Sequence, residues 1–171
     1  LLIDTRASSQ FAQGHVAGSI NLPVSSFASW AGWFTKEEEP VTLITSPAYL
    51  AELTRILHKI GVDDIAGYFD TDEVAEAGLN QQTYKTIAPS EAVEKIQNGQ
   101  VTLIDVRSDV EWADGRLPSA QHHFLGQLHK TAEQVMNGNP IVVQCKSGAR
   151  SAIGASILQA QGAKEVLNLQ G

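Results

Sequence analysis

Short apolar runs alternate along this chain with longer segments in which apolar residues recur at helical spacing. A strand buried on both faces is apolar along its length, so each run predicts a strand of a covered sheet. The helical periodicity is clearest between Leu50 and Ile60 and between Ser151 and Gln161. Such alternation favours an α/β fold, with a mostly parallel sheet flanked by helices. The predicted strands cover residues 1–3, 41–44, 62–69, 101–106 and 141–143.

The whole pattern occurs twice, at an offset that stays close to 101 residues. Leu2-Ile3-Asp4-Thr5-Arg6 returns as Leu103-Ile104-Asp105-Val106-Arg107, and Gly61 returns as Gly162. Two copies are too few for a solenoid. The repeat therefore predicts two tandem homologous domains, with residues 1–84 in the first and residues 85–171 in the second.

The boundary between the copies is expected in the polar stretch 80–88, which is predicted to be a linker. A helix should begin at Pro89-Ser90-Glu91, with Ser90 as its N-cap. Both copies are expected to be truncated at the ends of the chain. The first copy begins late, and the second ends at Gly171, where a further strand and helix are expected to continue.

Composition and charge narrow the class of protein. The chain is 43% hydrophobic and 18% charged, as globular proteins are. A net charge of −7 argues against a nucleic-acid or membrane-surface partner. A single cysteine rules out an intrachain disulfide and favours a reducing, cytoplasmic setting. The chain begins at Leu1 without a methionine, so we expect it to be part of a longer protein.

The single cysteine, Cys145, stands where a predicted strand passes into a predicted helix. The amides of such a strand–loop–helix turn inward, which makes a nest for an anion. A cysteine at this position should have a lowered pKa, and Lys146 and Arg150 add positive charge. Gly148 allows the loop to close tightly.

The loop Cys145-Lys146-Ser147-Gly148-Ala149-Arg150 resembles the C-x-x-G-x-R active-site loop of the rhodanese family of sulfurtransferases. The resemblance implies that Cys145 is the catalytic nucleophile and carries a persulfide. It also implies a substrate-binding loop and two supporting residues of the family's D-V-R motif. The loop residues are Lys146, Ser147, Gly148, Ala149 and Arg150, and the supporting residues are Asp105 and Arg107.

The first copy also resembles a rhodanese, through Gly14-His15-Val16-Ala17-Gly18-Ser19-Ile20-Asn21-Leu22-Pro23. Its loop, Thr45-Ser46-Pro47-Ala48-Tyr49, has no cysteine, glycine or arginine. Pro47 also removes a backbone donor from the nest. The first copy is therefore expected to be an inactive pseudo-rhodanese domain, and the second an active one.

The resemblance implies transfer of a sulfane sulfur from thiosulfate or a low-molecular-weight persulfide to sulfite, cyanide or a thiol. A non-catalytic binding or redox-sensing module is one alternative. A phosphatase or arsenate reductase of the same fold is the other, although those enzymes carry one more residue between Cys and Arg. Arg150 either orients the donor or forms an internal salt bridge, and Asp105 and Arg107 are expected mainly to hold the frame.

The order of an inactive and an active copy resembles the C-terminal half of fusions with a metallo-β-lactamase-like persulfide dioxygenase. That resemblance implies docking to such a domain, a role in sulfide and persulfide detoxification, and iron only in the part before Leu1. No cofactor is expected in this chain. The adjacent His122 and His123 would point to opposite faces of a strand, so no metal site is expected. The oligomeric state is left open.

Overall fold

The computed structural model describes residues 1–36 and 38–171. The chain divides into two compact units, which we call unit 1, Leu1–Thr83, and unit 2, Tyr84–Gly171. None of the helices in the described ranges is long and apolar enough to cross a membrane.

Unit 1 contains a parallel sheet of four strands among its described residues, in the order β2-β1-β3-β4. Its buried side chains include Ile3, Phe11, Phe27, Leu43 and Leu53, which come from strands and helices alike. The elements are β1 (Leu2–Asp4), α1 (Ser8–Gln13), β2 (Ile20–Asn21), α2 (Val24–Phe34), β3 (Val41–Thr45), α3 (Pro47–Lys59), β4 (Ile65–Asp70) and α4 (Thr71–Glu76).

Unit 2 contains a parallel sheet of five strands in its described residues, in the order β5-β9-β8-β6-β7. Short 3₁₀ turns at Leu125–Gln127 and Ala132–Gln134 flank its shortest helix. The elements are β5 (Lys85–Ile87), α5 (Pro89–Gln97), β6 (Thr102–Asp105), α6 (Asp109–Asp114), β7 (Gln121–His122), α7 (Leu128–Thr131), β8 (Ile141–Gln144), α8 (Ala149–Ala160) and β9 (Val166–Leu169).

The two sheets follow the same path through their central strands. Read from one edge, β7-β6-β8-β9 in unit 2 has the same succession as β2-β1-β3-β4 in unit 1, and β5 adds a fifth strand. The α/β prediction with parallel sheets flanked by helices is confirmed. The interpretation of the units as tandem domains of one family stays a prediction.

Several boundaries differ from the sequence-based prediction. The stretch 80–88 is not all linker, because Lys85–Ile87 forms β5 and pairs in parallel with β9. The paired residues lie 82 positions apart, so the local polar sequence gave no indication of the strand. Strand β9 itself was not predicted. Ser90 is not the N-cap of α5: the helix begins at Pro89, whose fixed φ suits the first turn, and Ala88 precedes it.

The sheet of unit 2 is buried on both faces. One face packs in a cluster of Ile87, Ala92, Leu103, Val142 and Leu167. The other face is covered by α8, in which every residue from Ser151 to Gln159 is buried. This helix approaches closely at Gly154, where a Cβ atom would lie 3.2 Å from Val143 Cγ1 and 3.3 Å from Leu128 Cδ2. The missing side chain thus sets the distance between α8 and the sheet.

We expect Gly154→Val to lower the free energy of unfolding of unit 2 by about 1–3 kcal/mol, because the added methyl groups overpack this contact. Urea unfolding followed by NMR at the amides of β8 and α8 measures it. Gly115→Ala is the control, since a Cβ there meets nothing within 4 Å. It should change stability by less than about 0.5 kcal/mol. A native-like urea midpoint for Gly154→Val would contradict the close-packing interpretation.

Candidate active site

Cys145 directly follows β8, at the carboxyl end of the central part of the sheet in unit 2. Three residues separate it from Ala149, the first residue of α8. Gly148 bridges them with a φ of +83°, a left-handed conformation that costs a residue with a side chain about 1–2 kcal/mol. The turn therefore brings the start of α8 directly against the cysteine, two residues earlier than the predicted helix start at Ser151.

The sulfur of Cys145 is surrounded by hydrogen-bond donors. Ser151 Oγ lies 3.3 Å from Sγ, and the Ser151 N–H donates to Sγ over 3.4 Å. The backbone N–H groups of Ser147 and Gly148 also lower the pKa of the thiol. Burial raises the pKa of the Cys145 thiol, but these hydrogen bonds outweigh it, so the pKa lies below its ordinary value. The arrangement favours a thiolate.

The Arg150 side chain forms an internal ion pair with Glu111. Its guanidinium donates to both carboxylate oxygens of Glu111, with Nη1–Oε2 at 2.6 Å and Nη2–Oε1 at 2.8 Å. Ser108 completes the arrangement, since it shares a capping box with Glu111 at the start of α6. Arg150 and these hydrogen bonds hold the pKa of Glu111 well below its usual range, although partial burial opposes them. Of the two predicted roles for Arg150, the internal salt bridge is the one this geometry contains.

Asp105 and Arg107 pair with each other at the end of β6. Arg107 Nε donates to both oxygens of the fully buried Asp105 carboxylate, at 3.0 and 2.9 Å. Its Nη2 donates to Asp105 Oδ2 and to the Gly115 carbonyl oxygen, both at 2.6 Å. This clasp joins the strand end to the end of α6. It positions the element that carries Glu111 and does not contact the sulfur in the described structure.

Unit 1 contains the same clasp. Arg6 donates to both carboxylate oxygens of the buried Asp4 and, over 3.0 Å, to the Gly14 carbonyl oxygen. In the place of the cysteine, Thr45 ends β3, and the Thr5 hydroxyl donates to its Oγ1 over 2.8 Å. The clasp therefore occurs with and without a thiol beside it, which favours a structural role.

The remaining predicted loop residues differ in exposure. Lys146, Ser147 and Ala149 are exposed, and Gly148 is partly buried. The last residue, Gly171, lies against the loop so closely that a Cβ atom on it would be 2.5 Å from Ser147 Cα. The structure thus gathers residues 145–150 at one strand end, with Arg150 turned to Glu111.

The two adjacent histidines have separate partners. His122 Nε2 lies 2.8 Å from the Arg107 carbonyl oxygen, and its ring stacks on Trp112 with centroids 4.7 Å apart. His123 Nδ1 lies 3.0 Å from Thr131 Oγ1. Within residues 1–36 and 38–171, no group of three or more His, Cys, Asp or Glu side chains is placed to hold a metal ion.

Sequence reasoning missed Ser151 as a partner of the sulfur. The residue lies one position after Arg150 and was assigned only to a helix. Its contact with Cys145 follows from the start of α8 at Ala149, which no local sequence pattern predicts. For Glu111 a signal was present: Ser108-Asp109-Val110-Glu111 has the S-x-x-E spacing of a capping box.

Comparison with known proteins matches this part of the chain to one family. The family model described as "Rhodanese-like domain" matches residues 88–171. The putative sulfurtransferase YtwF of Bacillus subtilis is 36% identical over 88 residues, which are 51% of this chain and 84% of that protein. The thiosulfate sulfurtransferase GlpE of Coxiella burnetii is 31% identical over 88 residues, 52% of this chain and 82% of that protein.

A third relative is longer than the region it shares. The putative sulfur carrier protein YrkF of Bacillus subtilis is 32% identical over 69 residues. The match covers 40% of this chain and 37% of that protein.

The Glu111–Arg150 pair should make unit 2 sensitive to acid. Because the folded-state pKa of Glu111 is lowered, the pair contributes stability above the unfolded carboxyl pKa of about 4.3. That contribution is lost as the pH falls from there towards the folded-state pKa. Glu111→Gln should lower stability at neutral pH by on the order of 1 kcal/mol and flatten this acid dependence.

Urea midpoints of unit 2 amides, measured at neutral pH and at steps below about pH 4.3, test this expectation. Glu94→Gln is the matched control, because Glu94 is exposed and forms no ion pair within the described residues. An unchanged acid dependence in Glu111→Gln would show that the pair does not stabilise the loop.

Ser151→Ala should raise the pKa of Cys145, because it removes the hydroxyl donor to the thiolate and leaves the backbone donors in place. The pH dependence of the rate of Cys145 alkylation reports this pKa. Ser147→Ala is the control: it keeps the Ser147 N–H, so the pKa should stay as in the native protein. If both variants alkylate with the native pH profile, the hydroxyl of Ser151 does not tune the thiol.

Proposed function

Because this chain belongs to the rhodanese family, we propose that it is a sulfurtransferase that carries a sulfane sulfur on Cys145. The observation that supports the proposal is the set of donors around the sulfur: the Ser151 hydroxyl and the N–H groups of Ser147, Gly148 and Ser151. These donors favour a thiolate in a partly exposed loop, which is the form of cysteine that acts as a nucleophile.

In the first step, the Cys145 thiolate attacks the outer sulfur of thiosulfate. A new sulfur–sulfur bond forms to Cys145, the bond within thiosulfate breaks, and sulfite leaves with the electron pair. The resulting persulfide carries its negative charge on the terminal sulfur. A low-molecular-weight persulfide donates in the same way and leaves as a thiolate.

In the second step, a nucleophile removes the terminal sulfur. With cyanide, the carbon attacks this sulfur, thiocyanate forms, and the electron pair of the breaking bond returns to Cys145 as a thiolate. Sulfite or a thiol accepts the sulfur in the same manner. Since charge alternates between two sulfur atoms, the fixed N–H groups stabilise it in both states without a separate general base.

The loop side chains have different parts in this proposal. Arg150 is committed to Glu111, so it fixes the loop, and the exposed Lys146 is the cation available to an anionic donor such as thiosulfate. Asp105 and Arg107 position the end of β6. The relative GlpE, named a thiosulfate sulfurtransferase, supports thiosulfate as the first donor to test.

The proposal extends to the arrangement of the chain. Unit 1 is a pseudo-rhodanese domain, supported by its matching strand order and by Thr45 at the position that corresponds to Cys145. It has a docking or scaffolding role. The parent protein is a fusion with a preceding metallo-β-lactamase-like persulfide dioxygenase, acts in cytoplasmic persulfide detoxification, and has its iron outside this chain.

The first measurement is the intact mass of the protein after brief exposure to thiosulfate and then to cyanide. We expect a gain of one sulfur atom on Cys145 and its loss with cyanide. Cys145→Ser should fold normally and gain no sulfur, because its hydroxyl does not ionise at neutral pH. Absence of sulfur gain with both thiosulfate and a small persulfide would defeat the proposal. Turnover of p-nitrophenyl phosphate would instead support a phosphatase.

A further inference from the structure

Unit 1 contains a cavity of ≈ 500 Å³ at the carboxyl ends of its strands. Arg6 lies just after β1, Val24 just after β2, Ser46 just after β3 and Thr71 just after β4, and all four line it. In parallel sheets with helices on their faces, this end of the strands is where ligands bind. The volume is within the range of small-molecule sites, about 300–1,000 Å³.

The lining offers hydrogen-bond groups that the fold leaves unused. The side chains of Gln10 and Ser46 and the phenol of Tyr49 have no hydrogen-bond partner among the described residues. Ser46 precedes α3 without capping it through its side chain. Polar side chains that converge on a cavity without serving the fold are available to a ligand.

Arg6 supplies the positive charge of this cavity. Its Nε and Nη2 atoms donate to Asp4, Gly14 and Asn80, whereas Nη1 has no partner in the part of the chain that the structure describes. The Arg6 side chain is 15% exposed. A fixed guanidinium with one free N–H₂ group can donate to a carboxylate or an amide carbonyl.

Asp72 supplies the negative charge. It is exposed in the first turn of α4, and its carboxylate has no partner within the described residues. Among the described lining residues, Arg6 is the one cation and Asp72 the one carboxylate. A ligand that matches both carries one charge of each sign.

We propose that this cavity is a non-catalytic binding site for a zwitterion of dipeptide or tripeptide size. The carboxylate of the ligand contacts Arg6, its ammonium group contacts Asp72, and its amides pair with Gln10, Ser46 and Tyr49. No thiol lines the cavity, since the single cysteine of the chain is Cys145. The proposal goes beyond sulfur transfer and holds whether or not Cys145 carries sulfur.

The test is an NMR titration of the full 171-residue chain with triglycine, a zwitterion without a thiol. N-acetyl-triglycine lacks the ammonium group, and triglycinamide lacks the carboxylate. We expect triglycine to shift the amide signals of Arg6, Ser46 and Asp72 saturably at millimolar concentration, and both capped peptides to bind more weakly. Arg6 itself is left unchanged, because its substitution would leave the buried Asp4 carboxylate without its ion-pair partner.

Asp72→Asn is the diagnostic variant, since the residue is exposed and the change keeps its shape. It should weaken triglycine binding about three- to fivefold and leave N-acetyl-triglycine binding unchanged. Glu73→Gln is the matched control: it removes the same charge from the next position, which does not line the cavity, and should bind as the native protein does.

Three results would overturn the proposal. One is the absence of saturable shifts at unit 1 amides with triglycine. Another is equal affinity of the native protein for triglycine and its two capped forms. The third is an equal effect of Asp72→Asn and Glu73→Gln. None of these depends on the mass of Cys145, so failure here is distinguishable from failure of sulfur transfer.

Discussion

The chemistry of unit 2 depends on one constraint: α8 must begin immediately beside the sulfur of Cys145. Gly148 makes this geometry accessible because its φ of +83° turns the chain between the strand and the helix. Gly154 then lets α8 lie close against Val143 and Leu128. With the helix held there, the N–H groups of its preceding turn and of Ser151 reach the sulfur. Packing of the helix and reactivity of the thiol are therefore parts of the same arrangement.

Comparison of the two units distinguishes residues that maintain the fold from the cysteine, which occurs only in unit 2. The Asp–Arg clasp joins the end of the first central strand to a glycine carbonyl in both units, through Asp4 and Arg6 in one and Asp105 and Arg107 in the other. A buried carboxylate needs such a partner wherever it occurs, because an unpaired charge in the interior is strongly destabilising. The clasp is retained beside Thr45 as well as beside Cys145, so its presence indicates the fold and not the reaction.

Much of the fold could be predicted from the sequence, because buried strands such as β8 begin with an apolar run and the helix after Leu50 is periodic. The Cys145 loop could be recognised from the sequence because its motif consists of consecutive residues. Strand β5 was not visible, since Lys85–Ile87 becomes a strand only by pairing with β9. The contact of Ser151 with the sulfur was also hidden, because it depends on where α8 begins. Long-range pairing and helix starts are tertiary properties that local patterns do not encode.

The donors that surround the sulfur are mostly backbone groups, which has a consequence for how such a loop can diversify. Any residue other than proline supplies an N–H, so the side chains at Lys146, Ser147 and Ala149 are free to change while the donors stay in place. These three side chains are exposed, whereas Gly148 and Ser151 are constrained by conformation and burial. The backbone donors to the sulfur can therefore be kept while the exposed side chains of the loop change, so thiolate stabilisation and the surface chemistry of the loop can evolve independently.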